Sequence, residues 1–120
     1  MCEIKITATK KGLNIEARNE KFNLSYDEAN MHWLAGKKWC EKKGGTLPTL
    51  TQLAIIYEFF ETINTSLRLQ GKTELSRAYY WSSFELYSIG AWYASFGSGG
   101  IYSTASRVWQ FRIRSITTFQ

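Results

Sequence analysis

The chain has 120 residues, the length of one domain with its own hydrophobic core. Its composition is globular, 44% hydrophobic and 21% charged, and rich in aromatics at 16%, with five Trp that either bury large areas or anchor interfaces. The net charge of +5 suits an acidic partner in principle, but the basic residues are dispersed. Only Lys37, Lys38, Lys42 and Lys43 cluster, on an expected helix shared with Asp27, Glu28 and Glu41. They read as a solvated helical face, with nucleic-acid binding kept as a lesser alternative. Cys2 and Cys40 make neither a disulfide framework nor a zinc set. One long-range bridge fits them, and two partly buried thiols fit better. No signal-peptide pattern opens the chain and no apolar run reaches membrane-spanning length, so synthesis in the cytoplasm and no membrane insertion are expected.

In chain order, residues 3–8 alternate polar and apolar, as do Leu13–Ala17, with Lys10-Lys11-Gly12 as the turn between them. This predicts a β-hairpin whose second arm extends through Phe22 and Leu24. Ser25 or Asp27 is expected to cap a helix running to about Lys43, with Ala29, Trp33, Gly36 and Cys40 on one face and Gly44-Gly45 at its end. Leu47-Pro48-Thr49 turns into a second helix, capped by Thr49 or Thr51. Its apolar stripe, Leu53, Ile56, Phe60, Ile63 and Leu67, reads as core, and it ends near Gln70-Gly71. After Ser76 four short strands follow, around Tyr79–Ser83, Ala91–Phe96, Gly100–Ser103 and Val108–Thr117. The order predicts an α+β fold in a single domain over 1–120.

Residues 86–111 carry one charge, Arg107, and are dominated by Ser, Gly and Tyr with interspersed Trp and Phe. This is the composition of a binding paratope: Tyr and Trp give contact area at low entropy cost, and Ser and Gly give adaptable hydrogen bonding. Strand-and-turn structure alone also accounts for it. Catalytic chemistry is thin. His32 is the only histidine, so no histidine-rich metal site can be assembled, and beside Trp33 on a helix it reads as a packed or surface residue. Gly97-Ser98-Gly99-Gly100 lacks the context of a phosphate loop. Asp27-Glu28 reads as first-turn acids, and Glu85, alone among acids from position 75 onward, reads as a buried acceptor or a ligand contact.

Several residues fall into an ordered set: Leu47-Pro48-Thr49 before an apolar helix, Tyr80-Trp81-Ser82-Ser83 with Glu85, Ala91-Trp92 with Phe96 and a glycine turn, and Arg112-Ile113-Arg114 near Phe119. Over roughly positions 25–119 this resembles bacterial C-type-lectin-like proteins related to the formylglycine-generating-enzyme fold. Among those it most resembles the variable proteins of diversity-generating retroelements. The resemblance implies a C-type-lectin-like fold: two helices packed on short irregular antiparallel sheets, with paired termini. Residues 3–8 are therefore expected to pair with strand residues near 111–117.

The resemblance also implies a ligand- or receptor-binding domain acting on a phage virion or a bacterial surface, with a protein or surface ligand as partner. It implies a diversified segment at about 84–111. Trp81, Ser82, Ala91, Trp92, Phe96, Arg112 and Arg114 match its scaffold positions. Phe84, Leu86, Tyr87, Ser88, Ile89, Tyr93, Ser95, Tyr102, Ser103, Thr104, Ser106, Trp109 and Phe111 match its diversified class and are the expected ligand-binding residues. Of these, Tyr87, Tyr93, Tyr102, Ser103, Trp109 and Phe111 are expected to form one exposed patch over buried Trp81 and Trp92. Most of the class are residue types reached by mutating the adenines of an Asn codon; Trp109 is not. The calcium-dependent sugar signatures Glu-Pro-Asn and Trp-Asn-Asp are absent, and the acid-poor C-terminal half has few calcium ligands. Neither cysteine falls at the candidate site. No catalytic residue, no metal, no cofactor and no enzymatic activity are therefore expected. A fixed-partner adhesion or assembly module and a nucleic-acid binder using the basic helix are the alternatives.

Overall fold

The computed structural model describes residues 3–86, 90–106 and 109–119, with 102–106 described as strand only. The alternating N-terminal segments form β1 (Ile4–Ala8) and β2 (Gly12–Ala17), paired antiparallel as the pattern predicts. Thr9 closes their turn: its Oγ1 donates to the Gly12 carbonyl at 2.8 Å. Phe22 and Leu24 do not extend β2. They belong to a third strand, β3 (Glu20–Met31), which folds back through a two-residue turn at Arg18-Asn19. Both turn residues have positive φ, 52° and 65°, the geometry that matches the twist of a hairpin. Arg18, without glycine's freedom, is held by an ion pair to Glu58 and lies over the Phe59 ring.

The expected helix from Ser25 or Asp27 is corrected. Residues 25–31 continue β3, and α1 (Trp33–Lys42) begins only after His32, whose Nδ1 accepts from the Ala35 amide at 3.3 Å. Ala29 is therefore a strand residue, while Trp33, Gly36 and Cys40 do form the buried face of α1. Thr49 caps the next helix through a reciprocal box with Gln52. That helix is two, α2 (Leu50–Glu58) and α3 (Phe60–Leu69), separated at Phe59, which leaves helical geometry at φ −108° and ψ 30°. The apolar stripe is core as expected, and Leu53, Ile56, Phe60, Ile63 and Leu67 are buried.

Four strands follow: β4 (Tyr79–Leu86), β5 (Gly90–Ser95), β6 (Gly100–Ser106) and β7 (Phe111–Thr117). All seven strands form one sheet in the order β1-β2-β3-β7-β4-β5-β6, antiparallel except where β4 meets β7. The expected fold is overturned on this point. Two helices on short irregular antiparallel sheets with paired termini give way, among the described residues, to one mixed seven-stranded sheet with three short helices. Residues 3–8 pair only with β2, at an edge; the partner of β7 is β3. Alternation in both segments marks one apolar face on each but does not select the neighbour.

Period two sends adjacent strand residues to opposite faces. Tyr80 joins the core under α2 and α3 with Leu13, Phe22, Phe96 and Ile116. Trp81 joins a second cluster with Trp33 and Cys40 of α1, Phe111 and Ile113. Cys40 carries a buried free thiol. Between β3 and β7 the register breaks: Leu24 pairs with Ile116 and Glu28 with Arg114, so Ser25, Tyr26 and Asp27 face Ser115 alone. Arg114, 1% exposed, satisfies this bulge by donating to the Ser25, Tyr26 and Thr73 carbonyls.

Candidate ligand-binding surface

The bulge pattern recurs in the C-terminal half. Trp81 pairs with Tyr93 and Glu85 with Ala91, so Ser82, Ser83 and Phe84 of β4 face Trp92 alone. On the other side, Ala91 pairs with Ala105 and Tyr93 with Tyr102, so Ser103 and Thr104 of β6 also face Trp92. One residue of the middle strand is thus flanked by two bulges, devices that bend strands and re-aim side chains near functional sites. The β4 bulge is fully tied. Ser82 Oγ donates to the Trp92 carbonyl at 2.7 Å and accepts from the Phe84 amide at 3.1 Å, and the Ser83 amide donates to the Pro48 carbonyl at 2.7 Å. Ser82 and Trp81 are wholly buried. Trp81 Nε1 donates to the Met31 carbonyl and Trp33 Nε1 to the Ser82 carbonyl. Trp92 is half-buried rather than buried, and its indole N–H has no hydrogen-bond partner.

Aromatic rings cover the edge of this region near β7. Tyr79, Tyr93 and Phe111 lie mutually 4.8–5.1 Å apart by ring centroid. Trp81 lies beneath, 4.6 Å from Phe111, and Trp109 lies 6.0 Å from Phe111 at the outer side. Tyr79 and Trp109 are 46% and 54% exposed. Tyr79 separates two depressions. One, about 220 Å³, is lined by Asn30, Ala78, Tyr79, Gln110, Phe111 and Arg112. The other, about 490 Å³, is lined by Arg77, Ala78, Tyr79, Ser95, Gly97 and Ser98. Away from this ridge, Phe84 is 51% exposed and its ring lies 5.5 Å from Trp92.

The expected ligand-binding residues divide as follows. Phe84 and Trp109 are exposed, Leu86 and Tyr93 are half-buried. Phe111 is corrected: at 8% exposure it packs under the ridge instead of standing on it. Ser95 is also corrected. It is buried, and its Oγ accepts from the Ser98 amide at 3.2 Å, which fixes the turn after β5. Tyr102, Ser103, Thr104 and Ser106 lie in β6, with Tyr102 opposite Tyr93. Tyr87, Ser88 and Ile89 lie outside the described residues. Glu85 is exposed rather than a buried acceptor. Composition alone missed Tyr79, Gln110 and Arg112; the period-two relation of Tyr79 to Trp81 was the available signal for the first. Among the described residues no three His, Cys, Asp or Glu gather as metal ligands. Among the described residues no helix is long and apolar enough to cross a membrane. Neither the protein-family models nor the curated proteins contain a match to this chain.

Proposed function

We propose that this chain is a non-enzymatic binding domain that takes a protein or cell-surface ligand on the aromatic ridge of Tyr79, Tyr93 and Trp109 and the bulged strands beside it. The observation that carries this reading is the combination of exposed large rings with a buried aromatic layer directly beneath them. Exposed aromatics cost solubility, and interface energy concentrates in rings of this kind. A supporting layer holds them in place before the ligand arrives, so less conformational entropy is lost on binding. The two depressions beside Tyr79 give the ligand concave footing, and Asn30, Gln110 and Arg112 offer polar groups at the rim.

The resemblance to variable proteins of diversity-generating retroelements supports the same reading through its residues. Ser82 and Trp81, matched to scaffold positions, are buried, whereas Phe84 and Trp109, matched to diversified ones, are exposed. Ser103 and Thr104 occupy the β6 bulge. On this reading the domain acts on a phage virion or a bacterial surface. The test is binding of the labelled chain to a panel of bacterial and host cells, beside the Tyr79→Ala/Trp109→Ala variant. Saturable binding to one cell type, lost in the variant, is the expected result. Binding to none, or equal binding by the variant, overturns the proposal. Sequencing the gene in sibling isolates tests the resemblance separately. Substitutions should collect in adenine-bearing codons of 84–111 and spare Trp81, Ser82, Ala91 and Trp92.

A further inference from the structure

The bulge in β3 forms one wall of a second cavity, which shares no residue with the aromatic ridge. It encloses about 390 Å³ and is lined by Lys10 and Lys11 of the first turn, Asn23, Ser25, Tyr26 and Asp27 of β3, Lys43, Lys72, and Ser115 and Thr117 of β7. Its volume is that of small-molecule sites, about 300–1,000 Å³. Four lysines from three separate parts of the chain converge on it, with Asp27 the only acid in the lining. Asp27 is already engaged: Lys43 Nζ donates to its Oδ2 at 2.6 Å. Lys72 lies over the Tyr26 ring at 5.0 Å, while Lys10 and Lys11 make no ion pair among the described residues. Lys72 also acts on Asp27 at longer range, but four ammoniums against one carboxylate leave the lining with a net excess of three positive charges.

The wall opposite these lysines is fixed. Arg114 holds the Ser25 and Tyr26 carbonyls from inside, Ser25 Oγ donates to the Asp27 carbonyl at 2.9 Å, and Tyr26 Oη donates to the Thr9 carbonyl at 2.7 Å. The Arg114 and Ser25 bonds occupy the Ser25, Tyr26 and Asp27 carbonyls of the bulge, so these acceptors are already engaged where the lysine ammoniums converge. We propose that this cavity binds a polyvalent oxyanion, the phosphate or sulfate ester group of a larger molecule. Lysine ammoniums suit such groups as mobile point charges, and convergent cations in a concave site concentrate anions.

The test is a titration of the ¹⁵N-labelled chain with inorganic pyrophosphate at low ionic strength, followed by amide shifts. Saturable shifts of residues 25–27, 72 and 115 are expected. Lys10→Gln/Lys72→Gln should weaken binding about tenfold or more, since each charge-assisted contact removed is a substantial part of a small anion's affinity. Lys37→Gln/Lys38→Gln removes the same charge from α1 outside the cavity and should leave binding within about twofold of wild type. Unsaturable shifts, or equal losses in both double variants, overturn the proposal. Two further arms separate the sources of the anion: tighter binding of adenosine diphosphate than of pyrophosphate assigns a nucleotide, and tighter binding of a sulfated disaccharide assigns a sulfated sugar. Both exposed pairs leave the core untouched, so unchanged thermal midpoints exclude misfolding as the cause of lost binding.

Discussion

Arg114 donates its Nε to Glu28 Oε1 at 2.8 Å across 86 positions of chain, and both side chains are buried. The same carboxylate accepts from Tyr80 Oη at 2.7 Å and, through Oε2, from Arg112 at 2.8 Å. Glu28 thus joins β3, β4 and β7, the three strands at the centre of the sheet. Through Arg114 it fixes the bulge beside the lysine cavity, and through Arg112 it fixes a wall of the depression beside Tyr79.

Glu28→Ala is expected to cost about 3–5 kcal/mol, because it removes the carboxylate that the buried Arg114 guanidinium is bonded to. Arg114→Lys should not restore the loss of Arg114→Ala. A lysine keeps the charge but lacks the planar fork that reaches one carboxylate and three carbonyls together. Urea unfolding of the three variants measures this. A Glu28→Ala midpoint close to wild type would show that the pair adds nothing to stability.

Alkaline pH should destabilise the fold early. Burial pushes the Cys40 thiol from 9.0 up to about 11, and burial, then the neighbouring Glu28 carboxylate, pushes the Tyr80 phenol above its usual 10.0. Both groups are neutral in the folded chain where the unfolded chain would release a proton. Their contribution is complete below pH 9 and is lost as pH rises from about 9 through 11 and beyond. The Cys40 part amounts to about 2–3 kcal/mol. Cys40→Ser removes the thiol's share, so the fall in unfolding midpoint between pH 8.5 and 10.5 should be shallower in that variant. In native protein at pH 8, peptide-resolved alkylation should leave Cys40 unmodified until denaturant is added.

Gly12→Ala should destabilise by about 1–3 kcal/mol or more. A Cβ at this site would sit 2.1 Å from the Leu24 carbonyl oxygen, and backbone on the paired strand must shift to admit it. Gly44→Ala meets open space but has φ of 79°, so its smaller cost, about 1 kcal/mol, comes from backbone strain alone. The contrast between the two midpoints separates crowding from strain.

What could be read from the sequence was local. Lys10-Lys11-Gly12 marks a turn, Thr49 a cap, and Leu53 to Leu67 a stripe, each legible from nearby residues. Residues 25–31 defeated the same reading. Asp27 and Glu28 look like first-turn acids, yet Glu28 is a strand residue whose partners lie 52 and 86 positions away. The turn at Arg18-Asn19 was hidden because neither residue is glycine. The site was legible in composition but not in register. Trp109 stood out as an aromatic in the nearly uncharged segment 86–111, whereas the bulge that sets Ser82 to Phe84 against Trp92 depends on strand pairing alone. Phe111 and Ser95 matched the chemical type of a contact residue and are nonetheless buried by their neighbours.

Stability and binding should separate by depth on the aromatic ridge. Trp81 is wholly buried, packs against Phe111 and Tyr93, and donates its indole N–H to the Met31 carbonyl. Truncating it to Ala leaves a cavity and an unanswered carbonyl, and should cost about 3–5 kcal/mol, a large share of a small domain's stability. Tyr79 and Trp109 contribute only ring edges to that layer and face solvent over about half of their surface. Tyr79→Ala/Trp109→Ala should therefore cost about 1 kcal/mol or less in stability. In binding the order reverses. Two exposed rings over a preformed layer are the anchors of the proposed interface, each worth about 2 kcal/mol or more, which together reduce affinity by about a thousandfold. Unfolding midpoints and cell-surface binding measured on both variants decide the matter. If the exposed pair unfolds as early as Trp81→Ala, the ridge is part of the core and its role in recognition falls.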